Sequence, residues 1–363
     1  MSRESSAGAV LAAVLGKAEA GERIDEAEAL AVFESGGLLE AGQAAASVRR
    51  RLKPGSDVTF VIDRNINYTN VCIAGCDFCA FHRKPGSDEG YLLSHDEIFR
   101  KIEETMALGG TGIMMQGGLH PKLDIDYYCD MLRAIKERYP IYIHSFSPPE
   151  IHHFARVSHI PVEEVLRRLK EAGLDSLPGG GAEILVDRVR QRVSPRKIGA
   201  DVWLETMRAA HLAGLRGTAT MMFGGVETFA DRIEHMRRIR ELQDETGGLT
   251  AFIPWTFQDS HTRLEGESSS DGIDYLMTVA VSRIYLDNVP NIQASWVTQG
   301  LKVAQISLAF GANDMGSTMI EENVVAAAGV SYRVGKDELV HAIRAAGLRP
   351  VQRDNAYKLI DFP

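Results

Sequence analysis

Between about residue 57 and about residue 330 the chain alternates short apolar runs with stretches of helical period, and this alternation narrows its possible folds more than any other feature. The runs are Val58 to Ile62, Ile113 to Met115, Ile141 to Ile143, Thr218 to Met222, Thr250 to Ile253 and Ile292 to Ala294. A short run that is almost wholly apolar reads as a strand buried on both faces. Between the runs, Ser94 to Ala107 opens on a Ser94/Glu97 capping box, and Asp124 to Tyr139, Val162 to Ala172, Val202 to Ala213, Phe229 to Gln243 and Tyr275 to Leu286 repeat the helical period. Adding Ile66 to Val71 and the weaker runs near Leu174 to Leu177 and Leu308 to Gly311 gives about eight strand-helix units. The expected fold class is therefore α/β, a (β/α)8 TIM-type barrel.

No low-complexity linker divides the sequence. Residues 1–56 read as an N-terminal helical cap, 57–330 as the barrel and 331–363 as a C-terminal extension with a helix over Val334 to Arg349. The apolar segment Ala7 to Gly16 before Ala18-Glu19-Ala20 has the outline of a secretory leader. Glu4 spoils its basic start, however, and the pattern continues into the amphipathic stretch Ile24 to Phe33, so a helix is the better reading. A net charge of -9 argues against nucleic acid as a partner. No apolar run approaches the roughly 20 residues that cross a bilayer, which speaks against an integral membrane segment.

Catalytic groups of such barrels sit at the C-terminal ends of the strands. Polar residues gather there: Gln116 with Gly117 and Gly118, His144 with Ser145, Gly179 to Glu183, Gly224 to Glu227, Trp255 to Gln258, Ser295 to Gln299 and Asn313 to Thr318. Any one of these segments is also ordinary loop punctuation, but seven at one end point to a site.

Four cysteines in a chain this long build no disulfide framework, and three of them, Cys72, Cys76 and Cys79, crowd into NYTNVCIAGCDFCAF. Such crowding indicates a metal site in a reducing compartment, the cytoplasm. Thiolates suit iron-sulfur iron, and three on a cubane leave one iron without a protein ligand. The rival is a non-catalytic zinc or iron-sulfur module, completed for zinc by a fourth ligand such as His82 or His120. Cys129, amid Tyr127, Tyr128 and Met131 of an expected helix, reads as a packed small hydrophobe.

The C-x3-C-x2-C spacing, with Phe78 immediately before the last cysteine, resembles the defining motif of the radical S-adenosylmethionine (SAM) superfamily. The resemblance implies a radical SAM barrel with a 4Fe-4S cluster on Cys72, Cys76 and Cys79, its open iron chelating SAM, whose reductive cleavage yields a 5'-deoxyadenosyl radical. MQGGLHP resembles the segment that binds the SAM amino group, offering Gln116, Gly117 and Gly118. TMMFGGVE resembles the adenine-binding pattern, with Met222, Gly224 and Glu227, and Glu183 of GGGAEI is a SAM-contacting carboxylate by the same analogy. A core Met222 and a helix-capping Glu227 are equally good readings of those two residues.

More narrowly, VIDRNINYTNVC, HSFSPPEI, PGGGAEIL, QDETGG, TAFIPWTFQ, LDNVPNIQASWVTQG and FGANDMGSTMIEENVV resemble the family of cyclic dehypoxanthine futalosine synthases of the futalosine route to menaquinone. Two positions beside the inferred SAM site depart from that pattern: His82 stands where a Tyr is expected after CAF, and Gly225 where a His is expected before VET. His82 is a candidate for stacking or hydrogen bonding with a ligand, and equally an ordinary loop histidine.

The resemblance implies that the substrate, dehypoxanthine futalosine, loses hydrogen from carbon 4' of its sugar, that the sugar radical adds to the benzoate ring, and that loss of an electron and a proton restores aromaticity. A reduced flavodoxin or ferredoxin is the implied electron donor. His144, Ser145 and Asp314 are the catalytic candidates, with Gln258, Gln299, Asn313 and Thr318 as further polar groups. Arg188, Arg190, Arg192 or Arg283 could supply a charge-assisted pair to the benzoate carboxylate, although each reads more readily as a surface or interstrand ion-pair residue. Aminofutalosine synthase and the deazaflavin-forming enzymes share the cysteine motif and remain alternatives, although their local segments fit less well.

Overall fold

The computed structural model describes residues 3–360; residues 1–2 and 361–363 of the expected terminal segments lie outside them. Nine strands occur among the described residues: β1 (Asp57–Val61), β2 (Asp63–Ile66), β3 (Gly112–Met115), β4 (Tyr142–Ser145), β5 (Ser176–Leu177), β6 (Arg216–Phe223), β7 (Leu249–Thr256), β8 (Asp314–Ser317) and β9 (Arg349–Gln352). Strands β2 to β7 form one parallel sheet in sequence order, and β1 lies between β8 and β9 in a second. Helices cover the outer face, so both faces of the strands are shielded and the apolar runs are explained.

The expected closed eight-stranded barrel is corrected to a partial one. Segment 291–294, just after Pro290, forms no extended ladder: it makes one bridge on each side, Phe252 to Ile292 and Gln293 to Asp314, each closed by backbone hydrogen bonds. Leu308 to Gly311, expected as a strand, is a 3-10 turn over Leu308–Phe310, ended by Gly311 at φ 99°. The strand proper is β8, inside NDMGST, whose Asp, Gly and Ser carry turn chemistry in sequence. Ile66 to Val71 also stops short: β2 ends at Ile66 and the chain leaves the sheet to become the cysteine loop.

The helices follow their signals more closely. Ser94 caps His95–Ala107, its Oγ accepting from the Glu97 amide at 3.3 Å while Glu97 accepts from the Ser94 amide at 2.8 Å. Helix Pro148–Ser158 is an addition: the two prolines look like breakers but occupy its first turn, where no amide is needed. Asp187–Val193 and Trp296–Ser307 are further additions. The N-terminal helices Arg3–Ala20, Glu26–Glu34 and Leu38–Leu52 pack together, and the latter two also pack against Gly272–Tyr285. Among the described residues no helix is long and apolar enough to cross a membrane.

Where β1, β8 and β9 meet, Arg353 donates to both carboxylate oxygens of Asp314, at 2.5 and 3.0 Å. Their side chains are 4% and 0% exposed, and Thr59 Oγ1 donates to the same carboxylate. Removing one member of a buried pair strands the other charge, at a cost of about 3–5 kcal/mol. Urea denaturation of Arg353→Met should show a loss of that order. Replacing Arg349, whose pair with Asp57 faces solvent, should leave the transition almost in place.

Candidate functional site

The cysteine loop, residues 72–79, hangs from the end of β2 and has its backbone bonded from several directions. Cys72 N–H donates to the Arg83 carbonyl at 2.9 Å, Ile73 N–H to Leu119 at 3.1 Å and Asp77 N–H to Val193 at 2.8 Å. Arg196 donates to the carbonyls of Ala74 at 2.7 Å and Gly75 at 3.2 Å, and Arg263 clasps the Gly75 carbonyl and the Asp77 carboxylate. Gly75 turns at φ 51°, a region that favours glycine. Cys72 and Cys79 are half-buried and Cys76 is buried, all as free thiols. Burial pushes the Cys76 thiol up to about 12, with the Lys197 ammonium pulling the other way. A thiolate ligand at this position would therefore form together with metal uptake.

Each of the rival fourth ligands has one ring nitrogen bonded. His82 Nδ1 bonds the Cys79 carbonyl at 2.8 Å, and His120 Nδ1 accepts from the Lys122 amide at 3.3 Å. No group of three or more His, Cys, Asp or Glu among the described residues is placed to hold a single ion. Three thiols without a fourth ligand fit a cubane, whose ligands stand further apart than those of one ion.

The MQGG segment lies against this loop. A Cβ on Gly118 would run into the Val71 carbonyl and stand 2.9 Å from the Cys72 Cβ, and one on Gly117 would enter the Tyr68 ring. Their smallness thus seats one backbone on another. Gln116 borders Gly180 across the strand ends. The organising group, missed in sequence although the Ser147/Glu150 spacing is a readable capping box, is Glu150. Buried, with its carboxyl pushed up by desolvation, it accepts from Tyr68 Oη at 2.7 Å, Gly117 N–H at 3.0 Å and Ser147 N–H at 2.8 Å.

Glu183 lies on the other side, 4% exposed and in the left-handed region at φ 42°. Its Oε1 accepts from Lys197 Nζ at 2.7 Å, while the buried Oε2 makes no hydrogen bond and has the Arg190 guanidinium 3.5 Å away. Glu183, Met222, Gly225, Val226 and Glu227 line a narrow cleft walled by Ile184, Val189, Val193, Phe257 and Leu264. Glu227 itself accepts from the amides of Gly224 at 2.7 Å and Gly225 at 3.0 Å and from Arg232 at 3.0 Å, so it shapes the turn. Phe78 lies beneath Lys197, whose Nζ is 5.1 Å from the ring centroid.

Inside the sheet, His144 Nδ1 bonds Ser176 Oγ at 2.6 Å; burial lowers the imidazole to about 3 and keeps it neutral. Asn65 Oδ1, Ser145 Oγ and Thr318 Oγ1 are buried without partners. Asn65 and Ser176 had no sequence signal, being single polar residues in strands recognised by their apolar neighbours. Gln258 and Gln299 both bond Thr256, and Asn313 bonds Arg283. Asp314 has both oxygens engaged by Arg353, which leaves it poorly suited to proton transfer. Of the arginines, Arg188 and Arg192 pair with Asp231 and Glu267, while Arg190 and Arg283 bind backbone carbonyls. All four have structural partners.

A strand-end site with three free thiols on one loop, a helix-covered parallel half-barrel and a buried carboxylate beside an apolar cleft is that of a radical SAM enzyme. The model of the radical SAM superfamily matches residues 66–239, and that of the CofH/MqnC C-terminal region matches 246–363. A cyclic dehypoxanthine futalosine synthase of Halalkalibacterium halodurans is 50% identical, over 96% of this chain and 94% of its own. A 5-amino-6-(D-ribitylamino)uracil--L-tyrosine 4-hydroxyphenyl transferase of Methanococcoides burtonii is 45% identical, over 84% and 88%. The crystal structure of methylornithine synthase (PylB) shares the fold, with a TM-score of 0.71 at 17% identity over 93% of this chain and 97% of that one. The chain belongs to the radical SAM family of cyclic dehypoxanthine futalosine synthases and their CofH/MqnC relatives. Its cofactors are a 4Fe-4S cluster and SAM.

Two outcomes follow. Replacing Cys72, Cys76 and Cys79 together by Ala should abolish iron uptake while circular dichroism reports an intact fold; a collapsed fold would point to a structural metal instead. Gly118→Ala should cut iron loading severalfold, because the added methyl meets backbone that has nowhere to move.

Proposed function

We propose that this enzyme converts dehypoxanthine futalosine to cyclic dehypoxanthine futalosine in the futalosine route to menaquinone, in the cytoplasm, with a reduced flavodoxin or ferredoxin as electron donor. The supporting observation is that the 50% identity to the synthase extends over nearly the whole chain, far beyond the cysteine segment. Residues 57–330 carry the chemistry in this reading, with 1–56 and 331–363 as flanking structure.

Cys72, Cys76 and Cys79 hold the cluster. Glu183 and the cleft beside Met222 and Gly225 receive the polar and apolar parts of SAM, with Gln116, Gly117, Gly118, Phe78 and His82 around them and Glu227 holding the turn. When bound, cluster and SAM supply one-electron cleavage of a carbon-sulfur bond and so a hydrogen-abstracting radical. Asn65, Ser145 and Thr318 turn unpartnered oxygens to the sugar hydroxyls, and half-buried Ile253 and Trp255 of β7 shield the reacting carbons from water.

His144 accepts the ring proton. In the tautomer that donates Nδ1–H to Ser176 Oγ, Nε2 keeps a lone pair, and a weak base suffices because restored aromaticity drives the proton off. Asp314 holds Arg353 beneath this site rather than exchanging protons. The product is the substrate less two hydrogens, one removed by the radical and one lost as a proton with an electron.

Anaerobic protein reconstituted with iron and sulfide and given dithionite, SAM and dehypoxanthine futalosine should yield near-equal amounts of 5'-deoxyadenosine and a product two hydrogens lighter than substrate. SAM cleavage without that product would transfer the chemistry to another substrate of the family. His144→Ala should lower cyclised product by about 100-fold or more, with SAM cleavage retained; equal loss of both would remove His144 from the proton step.

A further inference from the structure

The segment 196–198 is fastened at each of its three residues. Arg196 grips the carbonyls of Ala74 and Gly75 in the cysteine loop. Lys197 reaches Glu183 at 2.7 Å and crosses the Phe78 ring. The Ile198 carbonyl accepts from Arg190 Nε at 3.1 Å and Nη2 at 2.7 Å. Three consecutive residues thus stitch the cysteine loop to the segment that carries Glu183.

Lys197 sits at the centre of this seam with its side chain 15% exposed. Glu183 does not need it for pairing alone, since Arg190 stands 3.5 Å away, but Arg190 spends its N–H groups on the carbonyls of Gly181, Ala182 and Ile198. The arrangement fixes an ammonium against Phe78, which lies between Cys76 and Cys79 in sequence, with the Glu183 carboxylate as its counterion. Arg196, the residue before Lys197, bonds the carbonyls of Ala74 and Gly75, so the ammonium is anchored beside the loop that carries Cys76 and Cys79.

We propose that Lys197, held by Glu183, makes the iron-sulfur cluster easier to reduce, with Glu183 as the opposing charge. This rests on the reading that Cys72, Cys76 and Cys79 hold that cluster. Reduction passes one electron from an external reductant to the cluster, with no bond made and no proton moved, so one negative charge is added to the cluster-thiolate unit. A fixed cation in a poorly solvated position stabilises that added charge, and a fixed anion opposes it.

The test is a redox titration of the reconstituted, SAM-free enzyme with dithionite, followed by electron paramagnetic resonance of the reduced cluster. Lys197→Gln should move the midpoint to more negative potential, Lys197→Arg should restore it, and Glu183→Gln should move it the other way. Shifts of opposite sign are the signature of charge, because a disturbance of packing has no reason to reverse. Midpoints that stay at the wild-type value at full iron loading, or shifts of one sign in both variants, overturn the proposal. Should Lys197→Gln fail to retain iron, the sign of the Glu183→Gln shift decides. Failure of the underlying reading looks different: the wild-type protein would take up no cluster, or the triple cysteine variant would keep one.

Discussion

Everything at the strand ends depends on how a loop can expose three thiols without leaving its own backbone unsatisfied. Residues 72–79 have no regular structure, so each buried amide and carbonyl needs a partner from elsewhere. The chain answers with donors and acceptors drawn from distant segments: Leu119, Val193, Arg196 and Arg263. The loop is consequently shaped by the surrounding sheet ends, and its three thiols are left free. The same logic places Glu150, which satisfies Tyr68, Gly117 and Ser147 at once and keeps the neighbouring MQGG backbone pressed against Cys72.

The fold was legible where burial and period spoke together. The strands around Ile113, Ile143, Met221 and Phe252 and the helix capped by Ser94 follow their patterns because apolar runs and caps report local requirements. The errors have a common physical origin. Strand β8 is made of Asp314, Met315, Gly316 and Ser317, and its position is fixed by Arg353, 39 residues away in sequence, rather than by its own hydrophobicity. Segment 292–294 has the apolar pattern of a strand but pairs over only one bridge on each side.

The site divides in the same way. The cysteines and the glycines beside them are visible because a spacing and a clash are local facts. Lys197 lies in SPRKIG, where one more basic residue in a loop carries no sequence signal, and its meaning comes only from meeting Glu183 and Phe78 in space. Asn65 and Ser176 are likewise unremarkable in a strand until the curvature of the sheet turns them toward a common interior.

The pairing of β9 with β1 has a consequence for how the molecule is made. Asp57 and Arg349 meet across 292 positions of chain. β1 is made long before either strand that flanks it, so both of its edges stay bare until β8 and then β9 follow. Pairing across so long a stretch of chain is slow and leaves strand edges exposed in the interval.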